Sequence, residues 1–117
     1  PGVDVLDLAQ RVHPTPAVCG WPTAIARTVI DQHEDFDRGW YAGPVGWVDA
    51  SGDGEFAVAL RSAVVSGDRA WLFAGHGIMG DSEPEAELAE VRLKYRPLAE
   101  ALGMDDGPVP GTMPLPA

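Results

Sequence analysis

Glu87, Glu90 and Lys94 stand at i, i+3 and i+7, so they share one face of any helix that carries them. Two carboxylates one turn apart can hold a hard cation such as Mg²⁺, directly or through water, in a site that keeps several waters and a ligand oxygen. The same pattern also describes a solvated acidic face with a Glu90–Lys94 pair at i, i+4, worth about 0.2–0.5 kcal/mol. Just upstream runs AGHGIMGDS, where Gly75, Gly77 and Gly80 let the backbone turn tightly and approach a bound group. Arg61 offers a planar fork suited to a carboxylate, or serves as an exposed charge on a sheet edge. His13, in a loop of small residues, reads as a pocket wall or as a hydrogen-bonded structural histidine. Cys19 has no base beside it in the sequence and reads as a small buried side chain.

The elements that position these groups follow from periodicity. Val3 to Val12 reads as a short helix with Val5, Leu8, Ala9 and Val12 inward. Pro14, Pro16, Gly20 and Pro22 make the next stretch a loop without regular structure. Thr23 to His33 predicts an amphipathic helix capped by Thr23, with Ile25, Val29 and Ile30 as its inner face. Gly39 to Asp49 predicts a strand that bends at its glycines, Ser51 to Gly54 a turn, and Glu55 to Val65 an alternating strand with Arg61 on its small-residue face. Ser66 to Asp68 is a second turn and Arg69 to Gly75 a third strand, which together give an antiparallel meander. The last helix starts with Ser82 as cap and Pro84 in the first turn. Its apolar stripe is Leu88, Val91, Tyr95, Leu98 and Leu102, and Pro97 should kink it or end it early. The fold class is therefore α+β, an antiparallel strand meander with flanking helices. Residues 1–102 form the domain, and the Pro/Gly-rich stretch 103–117 is expected to be a disordered tail.

Composition excludes several classes of function. The 117 residues suffice for one domain with a core. Lys and Arg number 8 against 18 Asp and Glu, and the resulting net charge of −10, with no basic cluster, argues against a nucleic-acid surface and against an anionic membrane surface. No apolar run reaches the length of a membrane span, and no signal-peptide pattern is present. A single cysteine fits a reducing cytoplasm.

Four segments, HPTPAVCG, RGWYAGPVGW, LRSA and AGHGIMGDSEPEAELAE, resemble the motifs of the chorismate-utilising enzymes in order and spacing, over His13 to Lys94. That family includes isochorismate synthase, salicylate synthase, anthranilate synthase component I and aminodeoxychorismate synthase. HPTPAVCG followed by Trp21-Pro22-Thr23, without a lysine, resembles the isochorismate synthase branch, which adds water rather than ammonia. The resemblance implies a larger two-layer chorismate-binding fold and chorismate as substrate. It implies Mg²⁺ as cofactor, and a product entering siderophore or menaquinone routes. Glu90 would then bind Mg²⁺ and Glu87 would hold it through water. Tyr41 and Arg61 would bind the enolpyruvyl carboxylate, helped by the Gly75 N–H. Lys94 would lie close to the substrate and His13 near the ring.

The chain departs from the family pattern at two positions, with His76 where Ala is common and Val91 where Thr is common. A larger side chain at 76 would narrow the pocket or point outward. Val91 removes a hydroxyl beside Glu90. The resemblance covers only the C-terminal part of the longer family members. Their general base and general acid, and a further Mg²⁺ carboxylate, lie upstream of the matched motifs. The chain, which starts at Pro1, is therefore expected to be a fragment that lacks the N-terminal part of its enzyme and is inactive alone. Salicylate synthase and a non-catalytic carboxylate-binding module are the alternative readings.

Overall fold

The structure is a computed structural model, and it describes residues 2–104. All of the tail expected from Gly103 except Gly103 and Met104 lies outside the described residues. The chain divides after Ala59 into two compact units, each taken on its own below.

The first unit begins with α1, Val5–Val12. The helix starts two residues later than Val3 because Asp4 takes the cap. The Asp7 backbone N–H donates to Asp4 Oδ1 at 2.9 Å, and the Asp4 N–H donates back to Asp7 Oδ2 at 3.3 Å. Of the inward stripe, Val5 and Ala9 are half-buried, while Leu8 and Val12 are exposed. The proline-rich segment is not wholly irregular. It holds the short helix α2, Pro16–Cys19, because Pro16 occupies the first turn, where a missing N–H has no partner to lose. Gly20, at φ 108°, ends it. The next helix, α3, spans Thr23–His33 as its periodicity predicts, but Pro22, not Thr23, is the cap residue. Its inner face also differs. Thr23, Ala26 and Ile30 are half-buried, whereas Ile25 and Val29 are exposed. Small Ala26 faces Gly20 closely enough for α2 to pack on α3.

The strand expected from Gly39 starts five residues later. Residues 38–43 form a turn instead, with Tyr41 N–H donating to the Arg38 carbonyl at 2.9 Å and Gly43 N–H to the Trp40 carbonyl at 3.1 Å. Strand β1, Pro44–Val48, then pairs antiparallel with β2, Gly54–Val58, in a register that sets Gly46 opposite Phe56. A side chain at Gly46 would collide with the Glu55 carbonyl and the Phe56 ring, so this glycine serves a close approach. The Asp49 carboxylate closes the hairpin loop by accepting from the Ser51 and Asp53 N–H groups at 2.8 and 3.1 Å. Reciprocal bonds between Ala42 and Ala59 and between Ala59 and Gly43, both 2.9 Å, extend the ladder and bury Ala42.

The second unit begins at Leu60. The strand expected over 55–65 is two strands interrupted at 59–61, where Arg61 takes φ 47°. A left-handed residue cannot continue a pleat, so Arg61 does not stand on an alternating strand face. Among the described residues the strands are accordingly four in two hairpins rather than three in one meander. Strand β3, Ser62–Ser66, pairs antiparallel with β4, Arg69–Phe73, across the two-residue turn Gly67-Asp68, with Gly67 at φ 60°. The last helix, α4, runs Pro84–Ala101 and packs on β4. Among the described residues of this unit, Phe73 on β4 and Ala99 on α4 are the buried ones.

The stripe on α4 is partly as expected. Val91, Tyr95 and Leu98 are half-buried, Leu88 and Leu102 are exposed, and Ala99 takes the most buried place. Ser82 is not the cap. Glu83 is, and the Ser82 hydroxyl instead accepts from the Met79 N–H at 3.0 Å, closing the turn that leads into the helix. Pro97 neither ends the helix nor shortens it, since helical residues continue to Ala101. No helix among the described residues is long and apolar enough to cross a membrane.

Candidate metal and ligand site

Strand β4 ends at Phe73, and the chain turns through Ala74, Gly75, His76 and Gly77 before it reaches α4. The turn and the charged face of the helix meet through side chains. Lys94 Nζ donates to the Gly75 carbonyl at 3.2 Å and stands 3.0 Å from Glu90 Oε1. The i, i+4 pair is therefore present, and it also ties the helix to the glycine turn. His76 lies between the two glutamates: Nε2 is 2.8 Å from Glu90 Oε2, and Nδ1 contacts Glu87 Oε2 and lies 3.0 Å from the Gly77 carbonyl. Gly75, Glu87, Glu90 and Lys94, separated by up to 19 positions in the sequence, thus form one cluster. Glu87 is the better buried carboxylate, with 18% of its side chain exposed against 49% for Glu90. The Lys94 hydrogen bond holds the Glu90 carboxyl below the usual carboxylate range. Desolvation opposes this, and the charges of His76 and Lys94 reinforce it.

The donor set suits a divalent cation. One ligand atom from each of His76, Glu87 and Glu90 lies within 4.8 Å of the other two. Two of the three donors are carboxylate oxygens, the ligands that a hard ion such as Mg²⁺ takes.

Two further predicted residues meet in the first unit. His13 and Tyr41 line a cavity of about 230 Å³ together with Cys19, Arg27, Arg38 and Gly43. The residue that organises this wall, Arg38, is not among the candidates that the sequence singles out. Its guanidinium grips Glu34 with two nitrogens, at 2.7 Å from Nε and 2.5 Å from Nη2, while Nη1 donates to the Val18 carbonyl at 2.9 Å. It also stands 5.9 Å from the centroid of the Tyr41 ring, within cation–π range. The hydrogen bond to Glu34 raises the already high pKa of Arg38. The Glu34–Arg38 spacing of i, i+4 was the available signal.

Arg61 sits exposed in the interruption between β2 and β3 and forms no ion pair among the described residues. Tyr41 belongs to the first unit and Arg61 to the second. His76 was noted in the sequence only as a departure. Its position between glycines, opposite two glutamates one turn apart, was the signal that it would face them.

Similarity to known proteins decides the family. The profile of the chorismate binding enzyme family matches residues 1–103. The chain belongs to that family. The salicylate biosynthesis isochorismate synthase of Pseudomonas aeruginosa is 51% identical over 109 residues, which cover 90% of this chain and 23% of the relative. Isochorismate synthase MenF of Bacillus subtilis is 50% identical over 99 residues, covering 85% of this chain and 21% of the relative. A crystal structure from Bacillus anthracis, provisionally named a 2,3-dihydroxybenzoate-specific isochorismate synthase, DhbC, superposes with a TM-score of 0.86 at 45% identity. It covers 90% of this chain and 28% of the solved one. The α+β fold is thus that of the chorismate-binding enzymes, and the chain spans about a quarter of the length of the relatives it matches.

Proposed function

We propose that this chain is part of a Mg²⁺-dependent isochorismate synthase and contributes the carboxylate cluster that holds the cation. The observation that carries this reading is the meeting of Glu87, Glu90, Lys94 and Gly75 at one turn, in a chain about half identical to isochorismate synthases. In the reaction, water adds its oxygen to C2 of chorismate and gives up a proton, both ring double bonds shift by one position, and the C4 hydroxyl takes up a proton and leaves as water, so that substrate and product are isomers.

Glu87 and Glu90 would hold Mg²⁺. When bound, the ion supplies charge neutralisation and a template for the ring carboxylate. Lys94, fixed by the Gly75 carbonyl, keeps Glu90 oriented and places a positive charge beside the incoming anion. The family resemblance would give Tyr41 and Arg61 the enolpyruvyl carboxylate to bind, with the Gly75 N–H as a further donor. His13, which lines a cavity with Arg38, would stand near the ring if the family resemblance carries over. The resemblance puts the general base and general acid in the part of the relatives that this chain does not span, so the 117 residues alone are expected to be inactive. The product would feed a siderophore or menaquinone route, and the single cysteine suits a cytoplasmic enzyme.

The test is to incubate the full-length protein that carries this sequence with chorismate and Mg²⁺, beside the 117-residue chain, and to separate the products by chromatography. Isochorismate from the former and no turnover by the latter are expected. Salicylate and pyruvate would move the assignment to the sister activity. No turnover by either would favour a carboxylate-binding module.

A further inference from the structure

His76 is the one member of the cluster that has no place in the reading above. Its ring lies against both carboxylates, and each ring nitrogen faces one of them. The surroundings of the ring are all acceptors: Glu87 Oε2 and the Gly77 carbonyl at Nδ1, and Glu90 Oε2 at Nε2. One nitrogen of this ring and one oxygen of each carboxylate make a set of three donors of the kinds that divalent transition ions take, and one cation can be shared among them. The spacing allows it, because donors on opposite sides of one ion at about 2.0–2.2 Å each stand about 4.0–4.4 Å apart. The three donors here lie within 4.8 Å of one another, so one ion takes all three once they draw in by roughly half an ångström.

We infer that His76 is a metal-selecting ligand, which turns a two-carboxylate site into an imidazole–carboxylate–carboxylate site for Mn²⁺, Co²⁺ or Zn²⁺. This rests on the reading of Glu87 and Glu90 as the cation-holding carboxylates and adds a choice of metal to it. Mg²⁺ takes oxygen ligands and keeps its waters, so it uses Glu87 and Glu90 and gains little from His76. Ions further along the first transition series bind imidazole well, so they use all three groups. The imidazole therefore extends the range of the site without removing what Mg²⁺ needs.

The experiment is equilibrium titration of the full-length protein with Co²⁺ and, separately, Mg²⁺, in the wild type and in the His76→Ala and Glu90→Gln variants. Visible absorption of bound Co²⁺ and calorimetry are the readouts. In His76→Ala, Co²⁺ affinity is expected to fall about tenfold or more while Mg²⁺ affinity changes less than about threefold. Proton NMR of the Co²⁺-loaded wild type should show one exchangeable, paramagnetically shifted imidazole N–H, a readout that does not depend on the folding of any variant. Equal losses for both ions, or no loss for Co²⁺ and no shifted resonance, would overturn the role of His76. Glu90→Gln separates the two ideas. If it leaves both affinities unchanged, or if the wild type binds neither ion, the carboxylate site itself is refuted and the inference falls with it.

Discussion

The turn-and-helix cluster of the second unit and the His13–Tyr41 wall of the first are built on opposite plans. The first sets charged groups on a regular helix, half in solvent, with opposite charges neutralising one another. The second sets uncharged or aromatic groups on irregular backbone and holds them with one arginine that reaches a helix end, a carbonyl of α2 and a ring. A helix supplies geometry to its side chains at no further cost, whereas a loop needs a dedicated clamp. Substitutions in the cluster should therefore change ligand chemistry and spare the fold. Substitutions at the clamp should loosen the backbone and affect ligands only through it.

The largest effect is expected at Glu90. Glu90→Gln keeps the side-chain shape and removes the charge that Lys94 and His76 face. In the full-length protein it should lower Mg²⁺-dependent turnover at least about 100-fold, measured by initial rates, with an unchanged far-ultraviolet circular dichroism spectrum. Pro97 comes next. It lies inside α4 and has no N–H to donate, so Pro97→Ala restores one helical hydrogen bond. A gain of about 1–2 kcal/mol is expected, with the stiffness that Pro gives the unfolded chain offsetting part of it, read as slower hydrogen exchange of the α4 amides.

Arg38 follows. Arg38→Ala removes the grip on Glu34 and leaves the Val18 carbonyl without its side-chain donor. About 1–2 kcal/mol of local stability should be lost, discounted for the partial exposure of the pair, and amide exchange at 13–20 should speed up. Arg38→Lys should recover only part, because an ammonium cannot reproduce the fork.

The smallest effect is electrostatic. Glu90 titrates below its ordinary value of 4.5 because Lys94 stabilises its charge. The charged pair therefore favours the fold above the unfolded carboxylate range and loses that contribution as the pH falls through the lower folded value. Carbon NMR of labelled Glu90 should give a midpoint below 4.5, and Lys94→Ala should move it upward.

These contrasts also explain what could be read in advance. Glu87, Glu90 and Lys94 were legible because helical spacing alone puts them on one face. So were α3 and the β4-to-α4 turn, where the apolar period and the glycines agree. The interruption at Arg61 was not. Alternation continued through it, and a positive φ at a non-glycine residue leaves no mark on hydrophobic patterning. The cap positions failed for a related reason: Thr23 and Ser82 have capping side chains, but Pro22 and Glu83 took the position through backbone conformation. The exposed stripes of α1 and α3 were misjudged because periodicity shows which face is apolar, not what covers it. Arg38 was missed because its partners include a backbone carbonyl 20 positions away, which no local pattern encodes.

The most direct test of the account is the coupling between cation and substrate in the full-length protein. Chorismate should be titrated calorimetrically with and without Mg²⁺, in the wild type and in Glu90→Gln. If the cluster holds the ion that grips the ring carboxylate, Mg²⁺ will tighten chorismate binding, chorismate will tighten Mg²⁺ binding by the same factor, and Glu90→Gln will abolish both effects. Chorismate affinity that is equal with and without Mg²⁺, or coupling that survives Glu90→Gln, would contradict it.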